Sequence, residues 1–183
     1  MANLTDRRFE VQLTSGIWTD LIADVLGPMH GRFGLEEARP DAAIASTGEL
    51  TLDLDNSAQN SGLTLGYYSP NHASVRSGWT YGIAAQWVLS DQASQSITSI
   101  TLSGTTATAT KVAHGYSTDD YVTITGADQT QYNGTRKITV TGADTFTFTV
   151  NSGATTPATG TIVARKSYPR LRGKVGSIDA RPG

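Results

Sequence analysis

Cysteine is absent from all 183 positions, which removes disulfides, thiolate metal sites and cysteine nucleophiles together. The redox compartment is therefore left open. Charged residues amount to only 16% and aromatics to 8%, a poor supply for helices, which draw on Glu, Lys, Ala and Leu. No window approaches the ~20 apolar residues of a membrane span, and Met1-Ala2-Asn3-Leu4-Thr5-Asp6-Arg7-Arg8 lacks the apolar stretch of a signal peptide. The expectation is a chain made and folded in a cytoplasm, with no membrane insertion and no export address of its own. Positive charge is lacking too. With a net charge of −2 and a pI of about 5.9, no global field attracts nucleic acid. Arg165, Lys166, Arg170, Arg172, Lys174 and Arg181 gather late in the chain, but they are spaced along apparent strands and read as a solvated face.

Glycine is plentiful at 19 copies, hydrophobic residues reach 38%, and Thr is dense after Ile97, so strands joined by tight turns are favoured. The fold class read from this is all-β. Phe9 to Leu13 alternates apolar and polar residues as a half-buried strand does, and Thr14-Ser15-Gly16 is its turn. Leu21, Ile22, Val25 and Leu26 have helical spacing, with Thr19 or Asp20 as a cap and Gly27-Pro28 as a stop, which predicts a short helix of one to two turns over residues 19–26. Gly31 to Ser46 reads as a loop or extended arm. In Glu49 to Asn56 three leucines alternate with Thr51, Asp53 and Asp55, a strand with a leucine stripe toward the core. Asn56 to Gly78 is a long polar connection holding Tyr67, Tyr68 and Pro70, and connections of that length in compact domains are often interface-forming. Trp79 to Leu89 reads as a strand whose core face carries Trp79, Tyr81, Ile83, Ala85, Trp87 and Leu89.

Ser90 to Ser96 is polar and linker-like. Beyond it come short Thr-rich segments divided by turn residues: Ile97–Leu102, Thr106–Lys111, Tyr121–Thr125, Arg136–Val140, Thr145–Val150 and Thr161–Val163. Thr123-Ile124-Thr125-Gly126-Ala127-Asp128 is echoed 16 residues later by Thr139-Val140-Thr141-Gly142-Ala143-Asp144, too short a period for a solenoid, so it reads as reused strand-turn chemistry. After Arg165 the texture returns to that of the first segment. The parsing is an insertion: residues 1–92 with 166–183 form one β-sandwich or barrel-like domain, and residues 93–165 a small β-barrel or sandwich module.

Ile17-Trp18-Thr19-Asp20, Gly31-Arg32, Thr47 to Asn56, Tyr67-Tyr68-Ser69-Pro70 and Leu171-Arg172-Gly173-Lys174-Val175-Gly176-Ser177-Ile178 together resemble the opening β domain of bacteriophage minor tail and tail-hub (baseplate) proteins. The resemblance covers about 110 residues in order. It implies an extended strand running from the Trp, against the local helix preference. Ala113 to Ala127, Tyr132-Asn133-Gly134-Thr135 and Thr145-Phe146-Thr147-Phe148 resemble a small β module found in phage tail and bacterial surface proteins. What the resemblance implies is a virion tail component that assembles with other tail proteins, as a homo-oligomeric ring, with a host-surface glycan as a further partner of the inserted module. Tyr67, Tyr68, Pro70, Arg32 and Phe33 are its expected partner-facing residues.

Chemistry is thin by comparison. Asp53 and Asp55 share one side of a strand, but a calcium loop needs Gly and Glu where Ala58 and Thr64 stand. Asp119-Asp120 sits in an apparent turn, where Asp hydrogen-bonds nearby backbone. His30, His72 and His114 are scattered, with no pair at metal-ligand spacing, and no Gly-x-Ser-x-Gly elbow is present. No catalytic residue, cofactor or metal is expected, and the chain is read as a non-enzyme. The alternative is a carbohydrate-binding or host receptor-binding module, with Tyr67, Tyr68, Trp79 and Tyr81 as an aromatic platform.

Overall fold

The structure is a computed structural model that describes residues 4–34, 46–91 and 93–178. It is all-β. Leu4–Thr14 forms β1, the Ser15-Gly16 turn reverses the chain, and Ile17–Asp20 forms β2 antiparallel to it. The helix expected over residues 19–26 shrinks to a single 3-10 turn at Ile22–Asp24. Asp20 Oδ1 accepts the Ile22 N–H at 3.0 Å and starts that turn, but Val25 and Leu26 are then claimed by the next strand, opposite Leu54 and Asp53. Pairing outweighs the weak local helix preference.

Val25–Gly34 is β3 and Ser46–Leu54 is β4; together they make a sheet of two strands. Of the loop or arm expected over Gly31 to Ser46, residues 31–34 and Ser46 belong to paired strands instead, and residues 35–45 lie outside the described part. The leucine alternation of β4 holds, with Leu50, Leu52 and Leu54 half-buried and Glu49, Thr51 and Asp53 exposed. The strand expected from Trp79 starts only at β5, Ala84–Asp91. Its more buried face is the opposite one. Gln86, Val88 and Ser90 are fully buried, while Trp87 and Leu89 are half-buried and Tyr81, before the strand, is exposed.

The remaining strands are short: β6 (Gln95–Ser96), β7 (Ser99–Ser103), β8 (Thr106–Thr110), β9 (Tyr121–Ala127), β10 (Gly134–Lys137), β11 (Thr139–Gly142) and β12 (Thr145–Thr149). The last, β13, is long, running Gly160–Lys174. The largest sheet has the order β10-β9-β13-β5-β1-β2, with β6 also on β13, and curls into a half-barrel. A four-stranded sheet has the order β11-β12-β8-β7. Where β9 meets β13 the backbones nearly touch: a Cβ on Gly126 would lie 2.0 Å from the Thr161 carbonyl oxygen, and Gly126 has φ +82. Only glycine fits there.

One apolar cluster joins the two sheets, with Ile100, Ala107, Ala109, Phe146 and Phe148 from the smaller facing Val122, Ile124, Ile162 and Ala164 from the larger. All of its buried members lie between Ile97 and Ala164. Each large aliphatic or aromatic side chain buried there contributes about 1.5–3 kcal/mol. By backbone proximity one compact unit joins the chain up to Ile22 with Thr80–Val175, and a second takes Ala23–Trp79 with the residues from Gly176 on. The composition boundary at residues 93 and 165 falls inside the first of these, because β13 crosses residue 165 as one strand, paired to β9 in its first half and to β5 in its second.

Candidate functional site

The long Asn56 to Gly78 connection organises itself. Asn60 is buried, and its side chain donates to the Ser57 and Thr64 carbonyls at 2.6 and 2.8 Å while accepting from the Gly62 N–H at 3.0 Å. Asn56 Oδ1 accepts the Tyr68 N–H at 2.8 Å. The Tyr68 hydroxyl donates to Asp24 Oδ2 and accepts from Arg76 at 2.9 Å, and the Trp79 indole donates to the Tyr68 carbonyl at 2.8 Å. Ser61 donates twice to the same carboxylate, from its N–H at 2.7 Å and its hydroxyl at 2.6 Å. Burial pushes the Asp24 carboxyl up, but these donors, with Arg76 nearby, outweigh it and hold it below its ordinary value.

These bonds tie the loop to itself and to Asp24. Tyr68, one of the expected partner residues, is 3% exposed and spends its hydroxyl inside its own unit. Tyr67 and Pro70 are half-buried, Tyr67 with Arg76 5.2 Å above its ring. Arg32 and Phe33 fall in β3, Arg32 opposite Glu49; their side chains lie outside what is described. Three rings of the alternative aromatic platform do meet, Tyr67 on Tyr68 at 5.2 Å and Tyr68 on Trp79 at 5.1 Å, but edge to face and with Tyr68 and Trp79 buried.

Sequence reasoning missed a second feature, inside the curled sheet. Glu10 on β1, Gln86 on β5 and Arg172 on β13 are cross-strand neighbours. Arg172 Nε donates to Gln86 Oε1 at 2.8 Å, and Gln86 Nε2 donates to Glu10 Oε2 at 2.6 Å, which also accepts the Thr135 N–H at 3.2 Å. Glu10 is 1% exposed; burial, with Asp20 nearby, raises its pKa against the pull of the hydrogen bonds from Gln86 and Thr135. Beside this row the hydroxyls of Ser90, Ser167, Thr123 and Thr135 form a buried chain with links of 2.6 to 2.8 Å. No signal in the sequence marks these groups as buried, because each polar residue sits where alternation assigns it to solvent.

The row ends at an opening. β9 accompanies β13 only as far as the pair Tyr121–Ser167, so from Tyr168 to Lys174 the strand has β5 on one side and no described strand on the other. The shallow cleft at this step has a volume of about 470 Å³. Arg172 lies 4.7 Å over the Tyr121 ring and donates to its hydroxyl at 3.0 Å, and Lys166 is paired with Asp120 at 2.8 Å. Arg170, Arg172 and Lys174 are exposed along the strand, Arg170 at the slip in pairing between Pro169 and Leu171 and the other two in regular alternation beyond it, and none of the described ion pairs engages them. Chemically this is an edge of backbone donors and acceptors bordered by positive charge.

The histidines stay apart. His114 is buried, accepts the Tyr116 N–H on Nδ1 at 3.0 Å and meets the Gly142 carbonyl through Nε2 at 3.1 Å, which ties two loops of the module together. Among the described residues no three His, Cys, Asp or Glu side chains are placed to hold a metal, and no helix is long and apolar enough to cross a membrane. Asp119 pairs with Lys137 at 2.7 Å, and Asp120 accepts the Ser117 N–H at 2.9 Å, as turn aspartates do. No protein-family model matches the chain, and no curated protein matches it.

Proposed function

We propose that this chain is a structural subunit of a bacteriophage tail tip or baseplate, acting through assembly with other tail proteins and with further copies of itself rather than through a reaction. The observation that carries the reading is the sheet that, among the described residues, β3 and β4 form alone. A two-stranded ribbon is marginal in water without further strands or a packed face, and here its leucines are only half-buried and Leu26 is 52% exposed. Such a ribbon is what a partner completes. Arg32 and Phe33 lie in it; Tyr67 and Pro70 remain as partner residues of the neighbouring loop. The polar interior supports the same reading, since every linked group there is spent on holding strands together. A host-surface glycan reached through residues 93–165 is a secondary role, for which the shallow cleft of about 360 Å³ beside His114, Tyr116 and Val140 is the available surface.

The test is a nonsense mutation in this gene in a phage that carries it, with particles examined by electron microscopy. The reading expects filled heads with tails missing or incomplete. Complete tails with only adsorption lost would give the function to host attachment instead.

A further inference from the structure

Two open edges in this fold carry opposite charge. The first is the half of β13 from Tyr168 to Lys174, with Arg170, Arg172 and Lys174 along it. The second is the outer edge of β4, which among the described strands has β3 on one side only and shows Glu49, Thr51 and Asp53 as its exposed face. β3 is the poorer edge of that ribbon, because its pairing slips between Leu26 and His30, around Gly27-Pro28. β4 is continuous.

Charge along an edge ordinarily protects it, since a strand without complementary groups cannot pair there without crowding or desolvating it. That protection is selective. A strand with acidic residues at alternate positions meets Arg172 and Lys174 directly, with Arg170 adding charge at the slip beside them, as opposite charges on neighbouring strands attract and like charges repel. We infer that the Tyr168–Lys174 edge takes the β4 strand of a second copy of this chain, extending the curled sheet of one molecule with the ribbon of the next. The ribbon gains a third strand, and the open backbone of β13 gains its missing hydrogen bonds. The contact is head-to-tail, using different surfaces on the two molecules, so it either closes into a ring or propagates. Arg172 is held in place for this by Gln86 and Tyr121. The inference deepens the assembly reading and rests on it for its biological setting, but its test needs no phage.

The purified full chain is followed by light scattering after size exclusion, over concentration and salt. The wild type is expected to associate as concentration rises and to dissociate as salt rises. Arg170→Glu with Lys174→Glu, and separately Glu49→Lys with Asp53→Lys, each place like charges across the contact and are expected to weaken association about tenfold or more. Mixing the two variants restores opposite charge at both kinds of contact and should restore association, which also shows that both are folded. A wild type monomeric up to millimolar concentration, or variants that associate as the wild type does, would overturn the inference. A monomeric wild type that takes up an added acidic strand peptide would also overturn it, handing the edge to another protein. Either failure leaves the tail assignment standing on the nonsense mutant; failure of the mutant alone leaves the self-association.

Discussion

The Tyr68 hydroxyl donates to the Asp24 carboxylate across 44 residues of sequence, in a buried contact that Arg76 and Ser61 complete. A ring with the composition of a surface anchor therefore acts as a clasp for its own loop. Tyr68→Phe removes one hydroxyl and leaves Asp24 and Arg76 short of a partner, so a loss of about 1–3 kcal/mol is expected from chemical denaturation. Tyr67→Phe, at a half-buried position, should cost under about 0.5 kcal/mol. Equal effects of the two would contradict the clasp.

The pH dependence of stability should show two windows of opposite sign. Asp24 has a lowered folded pKa, so its contribution is present above its unfolded value near 3.8 and is lost as pH falls through the lower folded value. Glu10 has a raised folded pKa, so its contribution is full below its unfolded value near 4.5 and is lost as pH rises through the higher folded one. Glu10→Gln should flatten the dependence above that value while leaving the acid limb intact. Denaturation midpoints from pH 3 to 8 check both signs, and a Glu10→Gln curve parallel to wild type throughout would remove Glu10 from the account.

Gly126→Ala tests the close approach of β9 to β13. A methyl group there meets the Thr161 carbonyl at a positive φ, so the strands must separate or the backbone strain, at a cost of at least about 1–3 kcal/mol. Gly153→Ala is the control: its φ is +85 but no atom lies within 4 Å of its Cβ position. The melting temperature of the first variant should fall clearly further than that of the second.

Because the apolar cluster is confined to Ile97–Ala164, residues 97–164 expressed alone are expected to give a β-type circular dichroism spectrum and a cooperative melt. The fragment cuts the hydroxyl chain at Ser90 and Ser167, so its stability should be below that of the full chain. An unfolded fragment beside a folded full chain would show that the module depends on β5 and the second half of β13.

Thr106–Lys111 and Thr145–Val150 were legible to within a residue of β8 and β12 because turn residues bound them, but Arg136–Val140 spans the break at Ile138 between β10 and β11, which lie in different sheets, and Thr161–Val163 is only the start of β13. Local rules failed where a tertiary contact decides the outcome. Val25 and Leu26 have helical spacing but pair with β4. Gln86 and Glu10 are polar and yet fully buried, since each satisfies the other across two strands. The texture change near Arg165 is real in the sequence, but backbone pairing runs through it and makes β13 one strand. Of the expected partner residues, Tyr68 is buried against Asp24, a placement its sequence context does not mark, because an aromatic ring in a polar loop serves as well for a clasp as for an interface.

The central claim is that this chain is a built-in part of a phage tail, and quantitative mass spectrometry of purified tails from a phage carrying the gene tests it most directly. The account predicts that the chain is present in every preparation, at a fixed ratio to the other tail proteins that survives washing in high salt. Tails of normal composition and length that contain none of it would contradict the account.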